Sequence, residues 1–137
     1  MRAADLDLRD VTVLIIEDHA DSREMLGQIV ASFGANVVVA EDGREALRTV
    51  GWVKPSLILC DLRMPGLDGF AFVETLRHHP ALRRTPVIAV TALGSNADVM
   101  RTFEAGFNGH LTKPIDFHTI ALALERVFWA HRPEPAR

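Results

Sequence analysis

The sequence predicts an α/β fold built on a parallel sheet, from three observations: five short runs rich in apolar and β-branched residues, segments of helical periodicity between them, and helix-start residues soon after each run. The runs place strands near 11–16, 36–40, 56–60, 86–91 and 108–112. Val13-Leu14-Ile15-Ile16, Leu57-Ile58-Leu59-Cys60 and Val87-Ile88-Ala89-Val90 are apolar throughout, which is the signature of strands covered on both faces.

The helical segments follow in order. Leu26, Ile29, Val30 and Phe33 recur at helical spacing after the first strand. Phe117, Ile120, Ala121, Leu124, Val127 and Phe128 do so after the fifth. Both stripes are expected to face the core. Side chains able to accept from free backbone N–H groups mark helix starts at Asp42 with Glu45, at Asp68, at Ser95 with Asp98 and at Asp116. Gly34, Gly51 and Gly106 are expected where helices stop. Residues 11–131 then form one domain, with 1–10 as an N-terminal extension and 132–137 as a frayed tail or linker stub.

Composition excludes several function classes. The apolar runs are far shorter than the ~18 residues of a membrane span. The acid-containing N-terminus lacks the layout of a secretory signal, so a cytoplasmic location is expected. A net charge of −3, with 15 basic and 18 acidic residues dispersed along the chain, offers no basic stripe for nucleic acid. The single cysteine, Cys60, lies inside an apolar run and reads as a small core residue ahead of a nucleophile. His19, His78, His79, His118 and His131 show no metal-ligand spacing with a cysteine and are expected at the surface. Trp52 and Trp129 are expected to be partly exposed anchors at element ends, and Trp129 is an alternative partner contact.

In an open parallel sheet, ligands collect at the carboxyl ends of the strands. There the first run ends in Glu17-Asp18, the third in Asp61, the fourth in Thr91 and the fifth in Lys113-Pro114. Three carboxylates, a hydroxyl and an ammonium therefore meet on one rim. Clustered carboxylates repel and raise one another's pKa, a conflict that a divalent cation resolves. Oxygen-only ligation suits Mg²⁺, with Mn²⁺ as the alternative. The bland reading is that Glu17 and Asp18 cap a helix beginning near Ala20. The Lys113-Pro114 pair is a candidate cis peptide that aims the ammonium back over the strand ends.

Glu17-Asp18, the stretch Asp61-Leu62-Arg63-Met64-Pro65-Gly66-Leu67-Asp68-Gly69, Thr91-Ala92 and Lys113-Pro114, in that order and on those elements, resemble the receiver domain of two-component response regulators. The resemblance spans residues 11–130 and implies a flavodoxin-like sheet of five parallel strands, order 2-1-3-4-5, with helices on both faces. It implies Asp61 as phosphoacceptor, Asp18 and Asp61 as direct metal ligands, Glu17 as a ligand through water, and the Arg63 backbone carbonyl as a further ligand. Lys113 and Thr91 would contact the phosphoryl group, and small Ala92 would leave it room. The donor would be a histidine kinase or a histidine phosphotransfer protein. The output would be a protein contact through the fourth helix, fifth strand and fifth helix, switched by movement of Thr91 and of the His110 ring. Such a chain catalyses its own phosphorylation and hydrolysis without being a turnover enzyme.

Two departures from the family pattern stand out. His110 occupies a place more often held by Tyr or Phe, and Glu17 replaces a frequent Asp while keeping the charge. Arg63 and Leu93 sit where the family tunes loss of the phosphoryl group, and apolar Leu93 is expected to slow it. An aspartate-nucleophile phosphohydrolase fits poorly, because Asp61 is followed by Leu62-Arg63 where that class carries Asp-x-Asp. A flavin carrier fits poorly as well, because Glu17-Asp18-His19 stands in place of a Ser/Thr-rich phosphate loop. A degenerate receiver acting only as a binding module is the remaining alternative. The run 110–116 leans toward receivers associated with hybrid kinases, and dimerisation through the last helix is left open.

Overall fold

The structure is a computed structural model and describes residues 6–131. Five strands alternate with five helices: β1 (Thr12–Ile16), α1 (Ala20–Ala31), β2 (Asn36–Ala40), α2 (Gly43–Val53), β3 (Leu57–Asp61), α3 (Gly69–Arg77), β4 (Val87–Thr91), α4 (Asn96–Glu104), β5 (Gly109–Thr112) and α5 (Phe117–His131). The strands form one parallel sheet in the order β2-β1-β3-β4-β5. Both the fold class and the strand order agree with the sequence expectation, and each strand begins and ends within one residue of its expected bounds.

The uninterrupted apolar strands are explained by two core layers. Val13, Ile15, Leu59, Ile88, Val90 and Leu111 face α1 and α5. Leu14, Ile16, Ile58, Cys60, Val87 and Ala89 face α2 and α3. Successive residues of a strand point to opposite faces, so every position must be apolar. Cys60 is fully buried, and burial pushes its thiol well above the ordinary range, as a core residue requires. Among the described residues, no helix is long and apolar enough to cross a membrane.

Four local expectations need correction. Leu6 and Leu8, assigned to the 1–10 extension, are buried against α1 and α5, and the Leu8 N–H donates to the Phe33 carbonyl. The packed unit therefore begins before Val11, because two leucines between charged residues still bury a shared face. Gly51 lies inside α2, which continues to Val53 and stops at the left-handed cap Lys54, with Pro55 unable to extend the helix. Phe117 is 47% exposed and not a core residue, because it starts α5 and stacks on Phe33 at 5.2 Å. Trp52 is 82% exposed, beyond a partly exposed anchor, because it lies on the outward face of α2.

The remaining helix starts follow the sequence. Asp42, Asp68 and Asp116 accept from the N–H groups three residues on, and Ser95 with Asp98 closes a reciprocal capping box. Residues 132–137 and the side chain of His131 lie outside the described residues.

Candidate metal and phosphoryl site

All the rim residues converge because each follows directly from a buried strand. Asp61 and Thr91 are the last residues of β3 and β4, Glu17 follows β1, and Lys113 follows β5. Register carries this through the sheet: Asp61 pairs with Val90, and Thr91 with Thr112. The Glu17 N–H donates to the Ala40 carbonyl and the Lys113 N–H to the Thr91 carbonyl, which extends the ladder past the strand ends.

Glu17, Asp18 and Asp61 bring carboxylate oxygens within 4.8 Å of one another. Glu17 is 1% exposed and Asp61 6%, while Asp18 faces solvent. The Lys113 Nζ stands 3.5 Å from Glu17 Oε1 and 3.5 Å from Asp61 Oδ2, and the Lys113–Pro114 bond is cis, as expected. Two anions and one cation leave the buried cluster negative before Asp18 is counted. Burial, and then the adjoining Asp61 carboxylate, push the Glu17 carboxyl up to about 7 against the pull of Lys113.

Neither buried oxygen of Glu17 has a hydrogen-bond partner. Buried carboxylate oxygens left this way are costly, and a divalent cation satisfies both the geometry and the charge. The residues present therefore fit a hard, oxygen-liganded metal such as Mg²⁺.

Glu17 and Asp18 do not cap α1. His19 holds that position, its Nδ1 accepting from the Ser22 N–H at 3.4 Å, so both acids are left for the rim. The Arg23 Nη1 donates to the Glu17 carbonyl at 3.0 Å and its Nη2 lies 3.5 Å from Glu41, which fixes the backbone beneath the acidic pair.

The loop after β3 folds back over the site. The Arg63 N–H donates to Asp61 Oδ1 at 3.0 Å, which holds the Arg63 peptide beside the carboxylate. Gly69 N–H donates to the Leu62 carbonyl, and a Cβ at Gly69 would stand 2.5 Å from the Asp61 carbonyl. Only glycine allows that approach.

Across the rim, Thr91 is 2% exposed and its Oγ1 accepts from the Leu93 N–H at 3.1 Å. Ala92 is exposed, and Leu93 is half-buried. His110 is half-buried too, and both its nitrogens are engaged. Nε2 lies 2.9 Å from the Leu93 carbonyl, and Nδ1 lies 3.0 Å from the Thr102 hydroxyl.

Two residues of this arrangement were not legible in the sequence. Thr102, 1% exposed, is the only buried residue of α4, and nothing in its neighbourhood marks a threonine that meets a histidine eight residues on. Arg23 has a weak signal, a cation one turn into the helix that follows an acidic pair.

The family comparison agrees with this geometry. Residues 13–125 match the model of the response regulator receiver domain. The chain is similar to the solved structure of the chemotaxis protein CheY4 of Vibrio cholerae, with 31% identity, 85% of this chain and 98% of that one covered, and a TM-score of 0.81. It is also similar to the receiver domain of a sensor histidine kinase of Pseudomonas aeruginosa, solved with a magnesium ion in the active-site cleft. That match has 29% identity, covers 87% and 98% of the two chains, and has a TM-score of 0.80. Some relatives are much longer: the chain is 36% identical to a gliding motility regulatory protein of Myxococcus xanthus over 84% of its own length but 15% of the relative's. The chain belongs to the response regulator receiver domain family.

Proposed function

We propose that this receiver domain accepts a phosphoryl group on Asp61 from a phosphohistidine of a histidine kinase or histidine phosphotransfer protein, and that the modification switches a protein-binding surface. The observation that carries this reading is the Lys113 ammonium 3.5 Å from both Glu17 and Asp61, beside buried Glu17 oxygens that form no hydrogen bond.

Glu17, Asp18, Asp61 and the Arg63 carbonyl would hold a divalent cation, Mg²⁺ or Mn²⁺, with Glu17 acting through water. When bound, the cation supplies positive charge against the phosphoryl oxygens. An Asp61 oxygen forms the new P–O bond as the P–N bond to the donor imidazole breaks, and that imidazole takes up a proton. Lys113 offsets the negative charge that spreads over the phosphoryl oxygens. The Thr91 oxygen accepts from Leu93, so its own proton is available to a phosphoryl oxygen. Hydrolysis of the acyl phosphate by water returns the domain to its first state, with Arg63 and Leu93 at the approach.

The output reading rests on α4, β5 and α5. The helix α4 buries only Thr102 and exposes Met100 and Phe103, at 62% and 49%. A helix docked this weakly responds to small shifts. His110 ties α4 to the loop after Thr91, so a displacement of Thr91 reaches α4 through one imidazole.

Replacing Lys113, which is 30% exposed, by Met keeps the stem and removes the charge. The rate of phosphoryl uptake from a small acyl phosphate is expected to fall by about 100-fold, the scale set by losing one charge-stabilising donor. An unchanged rate in a folded Lys113→Met variant contradicts the proposal.

A further inference from the structure

A second surface lies away from the rim. The helices α2 and α3 run antiparallel to the strands they follow, so their C-terminal ends sit near the amino ends of the strands, away from Asp61. Between them opens a hollow of about 190 Å³ lined by Leu47, Val50, Gly51, Leu76, His79 and Leu82. Gly51 lines it, and no heavy atom stands within 4 Å of where its Cβ would be, so a side chain there has room. A glycine inside a helix costs roughly 1 kcal/mol relative to alanine, and no close contact here requires one.

Next to Gly51, Trp52 is 82% exposed, the most exposed large apolar side chain among the described residues. Arg44, Arg48 and Trp52 follow one another at four-residue spacing, so they share the outward face of α2. Lys54 follows the helix, and Arg83 and Arg84 follow Leu82; all three are exposed. None of these five cations lies in an ion pair among the described residues. The two helices offer only Glu45, whose carboxylate accepts from the Glu41 N–H, and Glu74 in opposition. This face is cationic on a chain whose net charge is −3.

We infer that the α2–α3 hollow docks an acidic segment of a partner protein through one large apolar side chain, with flanking carboxylates against Arg44, Arg48, Lys54, Arg83 and Arg84. The volume is below the ~300 Å³ at which cofactor and drug-sized pockets begin, which suits a single anchoring side chain. A concave hollow is poorly matched to a flat lipid surface. Tryptophan and arginine around an apolar pocket are the residues that dominate binding energy at protein interfaces. Opposite charge on the partner then supplies orientation and rate of encounter.

The test is selection of a random 16-residue peptide display library on the full chain, with the winning peptides then titrated by ¹⁵N NMR. Winners are expected to be acidic around one aromatic or aliphatic residue and to shift the amides of Leu47, Gly51, Leu76 and Leu82. Gly51→Leu, which fills the hollow, and Trp52→Ala are each expected to weaken binding at least tenfold while leaving the thermal midpoint near wild type. Binding is expected to weaken when salt rises from 0.05 to 0.5 M. Asp61→Ala is expected to bind like wild type, so failure of the phosphoryl reading leaves this result untouched. Winners without acidic bias, winners that map to another face, or binding kept by both variants overturn the inference. So does preferential binding of anionic vesicles or duplex DNA at these same amides.

Discussion

The imidazole of His110 hydrogen-bonds the Leu93 carbonyl at 2.9 Å, so a ring on β5 holds the loop that leaves β4. A carbonyl only accepts, and Nε2 therefore carries a proton. The second nitrogen meets the Thr102 hydroxyl on α4, so one ring joins β5, the loop after β4 and α4. Phenylalanine keeps the ring and loses both bonds. His110→Phe is expected to lower stability by about 1–2 kcal/mol, the scale of two hydrogen bonds in a half-buried site, and to speed amide exchange in residues 92–96. Denaturant melts with hydrogen-exchange mass spectrometry check this, and unchanged exchange in that loop contradicts it.

Glu17 makes the metal-free protein pH-sensitive. Its carboxyl is raised from an ordinary 4.5 to about 7, chiefly by burial, so between those values the folded state holds a proton that the unfolded state has lost. Stability from this group is complete below 4.5 and is lost as pH rises through about 7, on the order of 3 kcal/mol in total. Melts of the metal-free chain are expected to show this slope, and Glu17→Gln is expected to flatten it. Added Mg²⁺ is expected to raise the midpoint most above pH ~7, where Glu17 is ionised and cation binding stabilises the fold. A slope that survives in Glu17→Gln contradicts the assignment.

Leu93 is half-buried and its backbone is held on both sides, its N–H by Thr91 and its carbonyl by His110. Under the proposed function its side chain, two residues beyond Thr91, would obstruct the attacking water and orient none. Leu93→Glu is expected to shorten the lifetime of the phosphorylated form several-fold, read from the decay of the phosphorylated mass after donor removal. Equal or slower decay in the variant contradicts a role for Leu93 in rate.

Much of the rim was legible because each rim residue directly follows an apolar run, and a parallel sheet brings the ends of its strands together. Glu17, Asp61, Thr91 and Lys113 needed no tertiary information beyond that rule. The misread features are those whose meaning lies in a distant partner. Leu6 and Leu8 alternate with charges and read as polar until Phe33 is seen beside them. Gly51 carries a stop signal, yet Lys54 and Pro55 three residues later end the helix. His19, and neither of the two acids before it, caps α1 because the helix starts at Ala20 and the cap is the residue immediately before that start. Thr102 is unremarkable until β5 brings His110 beneath it.

Phosphoryl acceptance at Asp61 is read from intact mass. The purified chain is incubated with Mg²⁺ and a small acyl phosphate, beside Asp61→Ala and beside the wild type in chelator. Wild type with Mg²⁺ is expected to gain one labile phosphoryl group, and the variant and the metal-free sample are expected to gain none. A gain of equal size in Asp61→Ala, or no gain in wild type from repeated donors and a cognate kinase, contradicts Asp61 as the acceptor and leaves a receiver-shaped binding module.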